Sequence, residues 1–69
     1  MTITKIWGMI NRIEVDDPHE TLKRCKIAEQ FLVKVDCPEL MKEDWRGIYP
    51  FDEMMESICH IVNEASHRV

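Results

Sequence analysis

The stretch FDEMMESICHIVNEA, residues 51–65, decides the fold class. Phe51, Met54, Met55, Ile58, Ile61, Val62 and Ala65 fall at offsets of 0, 3, 4, 7, 10, 11 and 14. At about 100° per residue these positions share one side of a helix, a spacing that the two-residue alternation of a strand does not produce. Pro50 or Phe51 suits the first turn, and Asp52 and Glu53 suit the positive end of the helix dipole.

Working back toward the N-terminus, Asp17-Pro18-His19-Glu20 reads as a helix start, with Asp as N-cap, Pro at the first helical position and Glu reaching back to the cap. The helix that begins there runs to about Val35, with Leu22, Cys25, Ala28, Leu32 and Val35 as its inner face. Asp36-Cys37-Pro38-Glu39 repeats the cap pattern and predicts a shorter helix to about Trp45, ended by Gly47. At the start of the chain Ile3, Ile6, Trp7, Ile10 and Ile13 also follow helical spacing. Gly8 and the β-branched isoleucines weaken that helix, so a strand over about 3–15 is the alternative. The expected class is all-α, a compact bundle of three to four short helices; the alternative strand would make it α+β.

With 69 residues the chain holds one domain, expected to be residues 1–69 as a single helical unit. At this length a single core rarely supplies more than about 3–5 kcal/mol, and small domains often add a disulfide, a metal or a second subunit. Cys25, Cys37 and Cys59 are odd in number, widely spaced and without a Cys-x-x-Cys pair, which argues against a disulfide framework. They read as small buried hydrophobes in a reducing, cytoplasmic setting. The start of the chain has no secretory signal pattern, its longest apolar run being Ile6 to Ile10, and no stretch fits a membrane span. Nine basic against thirteen acidic residues give a net charge of −4, which disfavours generic binding to nucleic acid or an anionic membrane.

Few chemistries survive inspection of the residues. Gly8 and Gly47 are the only glycines, too few for a phosphate-cradling loop or a Rossmann fingerprint. Zinc ligands could come from Cys25, Cys37, Cys59, His19, His60 and His67, but none shows paired spacing. His60, Glu64 and His67 share a helix face opposite the apolar stripe, where solvent is expected. Cys59 and His60 are neighbours whose side chains diverge by about 100° on a helix, so they cannot form a thiol–imidazole pair. Most carboxylates, including Asp17, Glu20, Asp36, Glu39, Asp52 and Glu53, sit where helix N-termini favour negative charge. No catalytic residue, cofactor or metal is expected, and the chain is not expected to be an enzyme.

Two features suggest a binding role. The second helix is apolar over a wide arc, because Ile27 falls among its lysines while Phe31 and Val33 flank its inner stripe. Either a neighbour within the bundle covers that extra face, which is the first expectation, or another protein does. Farther along, Trp45, Tyr49 and Phe51 place three aromatic residues within seven positions, beside Arg46 and ahead of Met54 and Met55. They can plug one end of the bundle or anchor an interface, since Trp, Tyr and Arg dominate binding hot spots.

The expected function is therefore that of a small acidic protein-binding module, an inhibitor, adaptor or subunit without chemistry of its own. Trp45, Arg46, Tyr49, Ile27 and Phe31 would serve as anchors, and the partner would be another protein or a second copy as a homodimer. An accessory protein of a phage or mobile element would suit this size. The alternative is a helical DNA-binding regulator contacting phosphates through Lys23, Arg24, Lys26 and Lys34, the basic side of the second helix. Net acidity and a turn at Asp36 to Pro38 without glycine both count against it.

Overall fold

A computed structural model of the chain describes residues 1–68. The chain is all-α, a compact three-helix bundle: α1 spans Ile3–Asn11, α2 Pro18–Lys34 and α3 Pro50–Ser66, with a 3₁₀ turn at Pro38–Met41 between α2 and α3. No strand occurs among the described residues, so the N-terminal segment resolves as helix.

The helix starts follow from local chemistry. The Thr2 hydroxyl accepts from the Lys5 amide at 3.3 Å and caps α1. Asp17 Oδ1 accepts from the amides of His19 at 3.1 Å and Glu20 at 3.3 Å, with Pro18 in the first helical position. The Glu20 side chain does not complete the reciprocal cap that the sequence suggests; Glu20 Oε1 instead accepts from Arg24 Nε at 3.3 Å, one turn along α2.

α3 is the spine on which both other helices pack, and α1 and α2 meet in the core over it through Ile6, Ile10, Cys25, Ala28 and Leu32. Met54 and Ile58 of α3 are fully buried against Ile6 and Ile10 of α1, Cys25, Ala28 and Leu32 of α2, and Leu40 of the 3₁₀ turn. Burying a side chain of Ile or Met size contributes about 1.5–3 kcal/mol, so these few residues dominate the stability. Thr21 is the one buried polar side chain among the described residues, and its hydroxyl donates to the Glu14 carbonyl, tying α2 to the segment that precedes it. Arg68 Nη1 donates to the Val15 carbonyl at 2.8 Å, fastening the end of α3 to the same segment.

Two expectations about packing need correction. The helix predicted from Asp36 to about Trp45 is only the 3₁₀ turn, which starts from Cys37 without a side-chain cap. It stops at Lys42, whose backbone is extended (φ −114°, ψ 136°), and beyond it Asp44 takes the amides of Arg46 and Ile48 with its own carboxylate, giving the chain a turn in place of a helix. The cysteines also divide: Cys25 and Cys37 are buried as expected, but Cys59 lies exposed on the outer side of α3.

The body measures 36 × 21 × 16 Å. It exposes 5020 Å², more than the roughly 4500 Å² expected of a globular chain of this mass. An elongated bundle has this consequence, and the excess shows as grooves and uncovered apolar side chains.

Candidate docking surface

Residues 42–49 connect the 3₁₀ turn to α3 and carry most of the expected anchors. Asp44 and Ile48 close this loop on itself: the Asp44 amide donates to the Ile48 carbonyl at 2.9 Å, and the Ile48 amide donates to Asp44 Oδ1 at 3.1 Å. The Gly47 amide returns to the Asp44 carbonyl at 3.0 Å, and Gly47 itself takes φ of 76°, a left-handed conformation that a residue with a Cβ adopts only with strain.

Arg46 braces the turn from outside. Its guanidinium donates to Asp44 Oδ2 through Nη2 at 2.8 Å and Nε at 3.1 Å, and also pairs with Glu53 in the first turns of α3. The guanidinium beside it holds the Asp44 carboxyl below its ordinary value, and the two carboxylates in turn raise Arg46. Arg46 is thus a structural clamp more than a free cationic anchor. It also lies 5.8 Å from the centre of the Trp45 ring, within cation–π range.

The loop ties its backbone together with hydrogen bonds while presenting its largest side chain to water. Trp45 is 92% exposed, and Tyr49 and Ile48 project beside α3 at 41% and 39%. Phe51, the third aromatic of the cluster, turns inward and packs on the core. The cluster therefore splits: Phe51 takes the part of a plug, while Trp45 and Tyr49 stay outside.

On α2, internal packing was the first expectation for the wide apolar arc, and it fails for two of the three residues. Ile27 is 57% exposed and Val33 72%, because no element of the bundle lies over them. Phe31 is half-buried and packs on the core, so it stabilises the fold as well as touching solvent. Ile27 faces a groove between α1 and α2, whereas Val33 and Met41 border a smaller hollow with Phe51 at the end of the bundle. The five expected anchors thus fall into a braced loop with Trp45, Arg46 and Tyr49, and a stretch of α2 with Ile27 and Phe31.

Lys23, Arg24, Lys26 and Lys34 are all exposed along α2 as expected, with Arg24 engaged by Glu20. His60, Glu64 and His67 are also exposed, and the described residues contain no group of three side chains placed to hold a metal ion. No helix of the described residues is long and apolar enough to cross a membrane. Burial, with Glu29 nearby, pushes the Cys25 thiol above its ordinary value and keeps it in the poorly nucleophilic protonated form.

Sequence reading missed the α1–α2 groove, because nothing in the residue order shows how these two helices sit on α3. A signal does exist in α1, where Lys5, Met9 and Arg12 recur at helical spacing away from the buried Ile6 and Ile10. No family model, curated protein or solved structure matches the chain.

Proposed function

We propose that the chain is a protein-docking module, an inhibitor, adaptor or subunit that works by occupying a partner's surface without chemistry of its own. The observation that carries this reading is Trp45, an indole 92% exposed at the apex of a turn closed by Asp44, Ile48, Gly47 and Arg46. Exposing a large aromatic forgoes hydrophobic stabilisation that a chain of this size can ill spare. Holding it in a fixed backbone lowers the ordering cost when a partner covers it, which is the property of a binding anchor. Tyr49 and Ile48 widen the contact, and Tyr and Trp are the residue types that most often dominate interfaces.

Retention of a partner from a lysate of the source cells, compared between the wild type and Trp45→Ala, tests the reading. Trp45 supports no core contact, so the variant should stay folded and lose the retained protein. Retention of that protein at wild-type level by a folded Trp45→Ala chain would contradict an anchoring role. Phe31→Ala is a poor companion, because Phe31 also packs on the core.

A further inference from the structure

We infer that the groove between α1 and α2 receives an acidic amphipathic helix of the partner. This rests on the docking reading and adds a second contact with its own chemistry. The groove encloses about 500 Å³. It lies between two helices that both pack on α3, on the side of their shared core that faces solvent.

Its lining is amphipathic. Met9, Ile13 and Ile27 supply an apolar floor, and Lys5 of α1 and Arg12, just past its end, line it together with Arg24 of α2. Three cations and no carboxylate line it, in a chain whose net charge is −4. Arg24 is held in part by Glu20, but Lys5 and Arg12 have no carboxylate within 4.0 Å among the described residues. Charge complementarity thus selects an acidic occupant, and the floor selects one that also offers apolar side chains.

Helical spacing matches the distances. Lys5 and Arg12 stand seven residues apart, two turns or about 10 Å along α1. An occupying helix lying alongside with carboxylates at i and i+7 meets both, while apolar residues at i+3 and i+4 between them reach the floor. A nucleic acid would satisfy the cations but make no use of Met9, Ile13 and Ile27, and it would meet the repulsion of the acidic remainder of the chain.

The test uses the full chain and two labelled peptides of about 16 residues, both with leucine at i+3 and i+4 between charged residues at i and i+7. One is flanked by glutamate and the other carries lysine at every glutamate position, with binding read by fluorescence anisotropy. The glutamate peptide should bind at least about tenfold more tightly than its lysine twin, and the double variant Lys5→Glu, Arg12→Glu should invert that preference while circular dichroism stays unchanged.

Equal binding of both peptides, no binding of the glutamate peptide, or a preference unmoved by charge reversal would each overturn the inference. Displacement of the glutamate peptide by a short DNA duplex of matched affinity would overturn it in favour of a polyanion site. Trp45→Ala measured in parallel separates the two claims. Loss of partner retention in Trp45→Ala, with no glutamate-peptide binding, removes the groove and leaves docking through the loop. Charge-selective peptide binding without Trp45-dependent retention removes the loop anchor and leaves the groove.

Discussion

The centre of α3 and the loop that leads into it are adjacent in sequence and opposite in construction. In α3, Met54 and Ile58 are fully buried, and hydrophobic contact with α1, α2 and the 3₁₀ turn holds them in place. In the loop, Trp45 stands 92% exposed, and its backbone is held by the carboxylate of Asp44, the guanidinium of Arg46 and the reach of both to Ile48 and Glu53. The comparison teaches that order and burial are separable in this molecule. One region is held by excluding water, and the other by polar groups that bond to each other in water's presence.

The largest effect expected from breaking this contrast lies in the core. Ile58→Ala should cost about 2–5 kcal/mol, comparable to the whole stability of so small a chain, and should leave it largely unfolded in thermal or urea melts. A cooperative melt close to the wild type would show that α3 is not the spine.

A smaller gain is expected in α1. Gly8 sits inside that helix, and a Cβ there would meet nothing within 4 Å. Gly8→Ala should therefore stabilise by about 1 kcal/mol, raising Tm by about 4–8 °C. An unchanged or lowered Tm would mean that α1 carries a constraint at this position beyond helix propensity.

The loop answers to acid through Asp44. Asp44 has its folded pKa depressed, so what its ionised form contributes is fully present above the unfolded carboxylate value near about 3.9. That contribution is lost as pH falls through the lower folded value. Acid titration should loosen the turn, read as a change in Trp45 fluorescence, and Asp44→Asn should remove that transition. Survival of the same acid transition in Asp44→Asn would assign it to another carboxylate.

The smallest effect on stability is expected from Trp45→Ala itself, within about 0.5 kcal/mol of the wild type, as for surface positions in general. A larger loss would place the indole in a supporting role that its exposure does not suggest.

Much of the fold was legible because burial in α1, α2 and α3 follows helical period. Ile6, Ile10, Cys25, Ala28, Leu32, Met54 and Ile58 all stand where spacing put them, and Asp17 caps α2 as its residue type and position imply. The stretch from Asp36 to Trp45 was misread because its acidic residues resemble caps. Whether Asp44 begins a turn or sits within a helix depends on bonds to Arg46 and Ile48 that composition does not reveal. Thr21 was overlooked for a related reason: its burial depends on the distant Glu14 carbonyl.

The candidate site was legible only in its members. Trp45 and Ile27 stood out as apolar residues in excess, but their exposure became plain only once the helices were assembled. The cations of the groove come from two successive helical segments and acquire a common address only where both segments pack on α3 and bring Lys5, Arg12 and Arg24 to one opening.

Trp45 gives the most direct test of the central claim, since a docking anchor must pass from water into protein when the partner arrives. In a Trp7→Phe background Trp45 is the sole indole, and acrylamide quenching can be read before and after adding the protein that the chain retains. Strong quenching in the free chain, replaced by protection and a blue-shifted emission in the complex, is the predicted result. An indole already shielded in the free chain, or one equally quenched in the complex, would contradict the account.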